Sequence, residues 1–412
     1  MTRRVAAVDC GTNSLRLLLA DVDPGRTGLT DVVRRMEIVR LGQGVDQTGR
    51  LAPEALARTM TVLREYADVI ARSGAQAVRM VATSATRDAD NAAEFVRLVK
   101  EVLGVAPEVL TGDEEAVLSF TGATAELAAG PDPGPFLVAD IGGGSTEFVL
   151  GPAGGRPQHG VSVNIGCVRM TERHLHSDPP AGQEVAAAVA DIDAALDTVA
   201  AAVPARDART LVGLAGSVTT IAAIAMGLPA YDAARIHHAR VAAADVHAVT
   251  GRLLTQTRAE RAAIGVMHPG RADVIGGGAL VLDRLMQRFG FAGVLVSEHD
   301  ILDGMAWSLA GDPPGLGTGA QWEQVPLSRP ATGPMIRPAP ARPSRAVLPR
   351  WRTWPPERAR WTNSSRVSRS AAPVLAWWPG VRTWPLCAAV PSATSPTGAA
   401  PSPAGGRPGP RC

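Results

Sequence analysis

Residues 136–150 read FLVADIGGGSTEFVL. The apolar run Phe136–Ala139 predicts a strand, Asp140–Thr146 a tight turn, and Glu147–Leu150 a second strand. A two-residue hairpin loop does not need three consecutive glycines. Glycine here removes the side chains that would block close approach, so that successive backbone N–H groups can point into one concavity sized for phosphate oxygens. The same order returns near the N-terminus, where strands Val5–Val8 and Leu15–Ala20 flank the turn Asp9-Cys10-Gly11-Thr12-Asn13-Ser14. Each turn follows an acidic residue, Asp9 or Asp140, which would repel a bare phosphate. That acid makes most sense if Mg²⁺ or a polarised water sits between carboxylate and phosphate. For either turn alone, an ordinary hairpin whose Gly and Asp only satisfy turn geometry is the alternative. Two such turns facing one another would hold consecutive phosphates across a cleft.

Around these turns, strand-like runs alternate with longer amphipathic runs from Val5 to about residue 311, the pattern of an α/β protein with helix-covered sheets. Helices are predicted over Ala52–Ser73, with Pro53 near the start and Gly74 past the end, over Ala92–Leu103 before Gly104, and over Ile301–Leu309. Val78–Ala82 is a further strand. Beyond Asp312 the periodicity stops, and Pro, Arg, Ser, Gly and seven of the eight tryptophans crowd the remainder. Residues 312–412 are therefore expected to be disordered. They are either an out-of-frame or extended translation of a G+C-rich gene or a tail that binds polyanions through Arg and Trp.

The chain has 412 residues, 46% hydrophobic and 19% charged, with a formal net charge of +2, which suits two domains with a tail and points to neither nucleic acid nor membrane as a partner. The N-terminal apolar stretch is broken by Asp9, Asn13 and Arg16 and is too short to span a bilayer. Cys10, Cys167, Cys387 and Cys412 have neither zinc-site nor disulfide-framework spacing, so a cytoplasmic location is expected.

The segments VDCGTNSLRLL, VATSATRDADN, LTGDEEAVLSF, VADIGGGSTEFVLG, NIGCVRMTE, GLAGSVTTIAAI, HPGRADVIGGGALVL and VSEHDILDGM resemble, in order, signature segments of the Ppx/GppA phosphatase family over residues 5 to about 307. The resemblance implies two ribonuclease-H-like domains of the actin-like superfamily with the active site between them. We place the first at residues 1–121, completed by a helix at about 298–311, and the second at 122–297. It also implies Mg²⁺-assisted hydrolysis of linear polyphosphate or guanosine pentaphosphate, and leaves room for a homodimer. An actin-like kinase, or a non-catalytic binder of polyphosphate or alarmones, is the alternative of another class.

The family's catalytic glutamate falls in Glu114-Glu115-Ala116. Thr111 and Glu114 have capping-box spacing, which gives Glu114 a structural task and leaves Glu115 to orient, and in part deprotonate, the attacking water. A solvent-facing glutamate at the positive end of a helix is the plain alternative for Glu115. By residue-wise resemblance, Asp140 and Glu147 are the acidic pair of the second turn, catalytic and metal-binding, with Asp9 a further metal ligand. Asn13, Ser14, Gly143, Gly144, Ser145 and Thr146 are phosphate donors, and Arg87 reaches toward the cleft, where a guanidinium suits bidentate phosphate contact. Gly213–Ser217 matches a third turn. Arg271-Ala272-Asp273 is read as a helix-anchoring ion pair, and His174, His176, His237, His238 and His299 as neither catalytic nor metal-binding.

Overall fold

The computed structural model describes residues 2–23 and 29–310, and the 312–412 tail expectation lies outside the described residues. Along the first lobe run β1 (Arg3–Cys10), β2 (Ser14–Val22), β3 (Leu29–Ile38), α1 (Val45–Thr48), α2 (Pro53–Ser73), β4 (Ala77–Ala82), α3 (Ser84–Arg87), α4 (Ala92–Leu103) and β5 (Glu108–Val109). Then come α5 (Gly112–Thr124), β6 (Phe136–Ile141), β7 (Thr146–Gly151), β8 (His159–Val163), α6 (Cys167–His174), α7 (Gly182–Ala202), β9 (Thr210–Leu214) and α8 (Ala215–Ala225). The described chain closes with α9 (Ala233–Ile236), β10 (Arg240–Ala242), α10 (Ala243–Thr255), α11 (Arg258–Ala262), α12 (Ile275–Phe289), β11 (Gly293–Val296) and α13 (Ile301–Ala310).

The two sheets share one topology. The first runs β3-β2-β1-β4-β5 and the second β8-β7-β6-β9-β11, with β10 added at the edge. In each, three antiparallel strands made by consecutive hairpins are followed by parallel strands reached through helices. The repeat read from the two turns therefore extends to whole lobes.

Strand alternation divides each core. Ala6, Val8, Leu15, Leu17 and Leu19 face α2 and α4, whereas Val5, Ala7, Leu18 and Ala20 face Ile301, Leu302, Met305 and Trp307 of α13. The last helix thus covers the first sheet. In the second lobe, Leu137, Ala139, Ile141 and Phe148 pack under α7, α8, α10 and α12. Phe136, Val138 and Val149 pack instead on Ala116, Phe120 and Ala123 of α5. The boundary drawn after residue 121 consequently falls inside a helix, and that helix already lies on the second sheet.

Two glycines let α5 and α13 cross backbone to backbone. A Cβ on Gly122 would come within 1.8 Å of the Asp300 carbonyl oxygen, and one on Gly304 within 2.1 Å of that of Leu118. This crossing fixes Glu115, near the start of α5, relative to Asp300 at the entrance to α13.

Candidate active site

Both glycine turns are built alike. The Gly11 N–H donates to the Ser14 carbonyl at 3.0 Å, and the Gly142 N–H to that of Ser145 at 3.1 Å. The turns abut: a Cβ on Gly143 would lie 2.9 Å from Thr12 Cβ, and one on Gly144 2.8 Å from Thr12 Oγ1 and 2.5 Å from Ser84 Oγ. Close approach, rather than positive φ, is what demands glycine here.

The second turn is also held from behind. The Gly142 carbonyl accepts from the N–H of Cys167, that of Gly143 from Val168 and Arg169, and that of Gly144 from Gly166, at 2.9–3.2 Å. With its carbonyls taken up by the first turn of α6, the peptide dipoles of the loop are oriented before any ligand arrives.

Asp9, Asn13, Ser14, Glu115, Asp140, Gly143, Gly144 and Ser145 line one cleft. Glu115 stands as expected at the head of α5, where Thr111 and Glu114 form the reciprocal capping box. Its Oε2 accepts from Arg87 Nη1 at 3.2 Å, and the same Nη1 donates to the Leu110 carbonyl at 2.9 Å. Arg87 therefore holds the glutamate instead of lining the cavity itself. Glu147 lies opposite Asp140 across the β6–β7 pair and accepts from Ser162 Oγ at 2.7 Å, while Asp140 accepts from Ser119 Oγ at 2.6 Å.

Thr146 corrects the sequence reading. Its hydroxyl donates to the Ile165 carbonyl at 2.8 Å and the residue is fully buried, so it is not a phosphate donor. Period-two alternation held the signal, because the residue next to Glu147 must face the other side of the sheet.

Burial dominates the electrostatics. It raises the Glu115 carboxyl well above the usual carboxylate range, with the neighbouring Glu147 adding to the rise. Burial and then Asp140 push Glu147 up to about 7, and burial pushes Asp140 up to about 6 against the Ser119 hydrogen bond and Arg16. Asp9 is also raised by burial, although Arg16 donates to its Oδ2 from Nε at 2.9 Å and from Nη2 at 2.7 Å. The remaining Arg16 nitrogen bonds Asp300.

Four carboxylates thus share the site with the guanidiniums of Arg16 and Arg87. Asp9 Oδ1 is buried without a hydrogen-bond partner. An excess of buried carboxylate oxygen, one atom of it orphaned and all donors hard, suits a hard divalent cation such as Mg²⁺. Asp140, Glu147 and Asp9 could hold it.

Residue 271 needs a second correction. Asp273 pairs with Arg40 of the first lobe at 2.8 Å, not with Arg271. The Arg271 guanidinium is packed over Gly216, where a Cβ would come within 2.2 Å of Cζ. It donates to the Gly216 carbonyl and to Thr220 Oγ1 at 3.3 and 3.2 Å, and no described carboxylate lies within ion-pair distance. Burial lowers its pKa, and it lines the cleft beside Ser217. Ala215, entering α8 from the third turn, sits at φ 65, a strained left-handed conformation for a residue with a side chain. Sequence reading also missed Thr12, Arg16 and Ser84 as cleft residues.

The histidines gain an acidic neighbour that sequence spacing hid. Glu126 Oε2 lies 3.4 Å from His237 Nε2 and 3.6 Å from His299 Nδ1. The Glu298 N–H, however, donates to His237 Nδ1 at 3.1 Å. That bond puts the neutral ring's proton on Nε2, so the nitrogen facing Glu126 is a donor rather than a free lone pair.

Two lobes of one topology that meet at paired glycine turns define the actin-like, ribonuclease-H-related class of phosphate-handling proteins. A model of the Ppx/GppA phosphatase family matches residues 18–311. Exopolyphosphatase 2 of Mycobacterium tuberculosis is 54% identical over 323 residues, covering 75% of this chain and 99% of that protein. Guanosine-5'-triphosphate,3'-diphosphate pyrophosphatase of Pseudoalteromonas atlantica is 33% identical over 57% of this chain and 45% of that protein. The solved PPX-GPPA enzyme of Aquifex aeolicus is 31% identical, with a TM-score of 0.63 and coverage of 75% of this chain and 100% of its own. The chain belongs to the Ppx/GppA phosphatase family.

Proposed function

We propose that this chain is a phosphoanhydride hydrolase of the exopolyphosphatase type, releasing the terminal phosphate of linear polyphosphate by in-line attack of water. The observation that carries this reading is the contact of the two glycine turns with Glu115 in the wall of the same cleft. The amides of Gly143, Gly144 and Ser145 take the terminal phosphoryl oxygens on one side, and the Thr12–Ser14 segment takes the neighbouring phosphate on the other. Holding the phosphorus still in line with the nucleophile supplies much of the rate. Glu115, in the wall of the cleft and held by Arg87, accepts the proton of the attacking water. Asp140, Glu147 and Asp9 would hold Mg²⁺, which would neutralise phosphate charge. Arg271 is a further cation for phosphates deeper in the chain.

Hydrolysis of guanosine pentaphosphate to tetraphosphate is the second reading, favoured by the likeness to the Pseudoalteromonas protein. Among the described residues no helix is long and apolar enough to cross a membrane, and a cytoplasmic site of action accords with that. The test offers polyphosphates of several lengths, guanosine pentaphosphate and ATP with Mg²⁺, and measures released phosphate. Turnover of polyphosphate above the others supports the first reading. Phosphoryl transfer from ATP to an acceptor, without phosphate release, would replace it with a kinase.

A further inference from the structure

The sequence segment NIGCVRMTE contains an arginine that the catalytic assignment leaves unused. Arg169, in the first turn of α6, has a side chain only 10% exposed, and four acceptors surround its guanidinium. Nε donates to the Gly144 carbonyl at 2.7 Å, a second bond on the carbonyl already held by the Gly166 N–H. Nη1 bonds Asp46 of α1. Nη2 donates to Asp88 Oδ2 at 2.5 Å and to Ser84 Oγ at 3.4 Å.

These partners belong to different lobes. Gly144 is part of the second glycine turn, whereas Ser84 and Asp88 bracket α3, whose last residue, Arg87, holds Glu115. The same face of α6 adds two more ties to the first lobe. Arg173 donates to Asp46 at 2.6 and 2.9 Å, and the Glu172 carboxylate accepts the Gly44 N–H at 3.1 and 3.2 Å. Residues 169, 172 and 173 have the i, i+3, i+4 spacing of one helix face. Only the planar fork of an arginine can address a carbonyl and two carboxylates in fixed directions together; an ammonium is a point charge.

We propose that Arg169 is a positioning residue: it holds the Gly144 carbonyl turned from the cleft and ties that turn to the Ser84–Asp88 segment. The phosphate cradle of one lobe is thereby kept in register with Arg87 of the other, and through Arg87 with the Glu115 carboxylate it holds. The inference rests on the reading of the glycine turn as the phosphate cradle. Loosening the clamp costs substrate affinity first, because the turn must then be ordered by the phosphate itself.

The test compares Arg169→Lys with Asp88→Asn, whose partly exposed carboxylate makes misfolding a smaller risk. Phosphate release from inorganic tripolyphosphate with Mg²⁺ gives kcat and KM, and amide exchange is followed by mass spectrometry over residues 140–146 and, as control, 182–202. The expected result is a KM raised about tenfold in Arg169→Lys and about threefold in Asp88→Asn, with kcat within about threefold of wild type. Exchange should quicken at 140–146 and stay unchanged in the control, and the double variant should be no worse than Arg169→Lys alone. Wild-type KM and exchange in both variants, or a fall in kcat at unchanged KM, overturns the proposal. If wild-type protein releases no phosphate from tripolyphosphate, the phosphate reading fails; faster exchange at 140–146 in the variants would still support the clamp, and unchanged exchange would overturn it.

Discussion

The first and second glycine turns have one backbone and opposite electrostatics. Asp9 pairs in register with Arg16 across β1 and β2, whereas the equivalent Asp140 pairs with Glu147 across β6 and β7. At the first turn the acid is neutralised where it stands, by a guanidinium shared with Asp300. At the second, two buried carboxylates face each other, and their side-chain hydrogen bonds come from the hydroxyls of Ser119 and Ser162. The two turns repeat one geometry, and one cross-strand position distinguishes them, Arg16 facing Asp9 and Glu147 facing Asp140. On the proposed function, the first turn holds phosphate and the second recruits a cation.

The largest effect should come from the glutamate in the wall of the cleft. Glu115→Gln should lower kcat by about 10²- to 10⁴-fold, as expected for loss of a general base, while calorimetry shows tripolyphosphate binding retained. Wild-type phosphate release by that variant would remove Glu115 from the chemistry. The turns themselves separate next: Asp140→Asn should raise the Mg²⁺ concentration for half-maximal activity by about 10- to 100-fold. Asp9→Asn should raise it less, because Arg16 already holds one of its two oxygens. Equal effects would mean that the charge difference between the turns does not matter.

Close packing at the second turn is tested by Gly144→Ala, whose added methyl would sit 2.5 Å from Ser84 Oγ of α3 and 2.8 Å from Thr12 Oγ1 of the first turn. Overpacking of this kind costs about 1–3 kcal/mol, and KM should rise several-fold. Ser84→Ala in the same chain should recover part of both losses.

The smallest effect concerns pH. Glu147 and Asp140 have folded-state values raised by burial to about 7 and about 6, above the ordinary 4.5 and 3.8. The folded state therefore binds more protons than the unfolded state between the ordinary and raised values, and stability falls as pH rises through that window. Metal-free protein should melt a few degrees lower at about pH 8 than at about pH 5, with Mg²⁺ restoring the loss and Asp140→Asn flattening the difference. A melting temperature that rises with pH in EDTA would reverse the assignment.

Local features were legible in the sequence because local rules set them. Pro53 and Gly74 bracket α2, the capping box freed Glu115, and Gly11 and the run Gly142–Gly144, each after an acidic residue between two strands, marked the two turns. Thr146 was misread although alternation was sufficient to place it. Arg169, Arg271 and Glu126 escaped for another reason: Asp46 lies 123 residues from Arg169, His237 111 from Glu126 and Thr220 51 from Arg271, and nothing in spacing says which group each will meet. The pairing of Asp273 with Arg40 in place of its near neighbour Arg271 has the same origin. For Arg169, the packing of the head of α6 behind the second turn brings those groups together.

The decisive measurement is a crystal structure of the Glu115→Gln protein with tripolyphosphate and Mn²⁺, the metal located by anomalous scattering. The terminal phosphorus should lie in the cleft that both glycine turns line, the variant side chain should point at its open face, and the metal should sit on Asp140. An anion bound outside the paired turns, or a metal on the Arg16 side with Asp140 untouched, would contradict it.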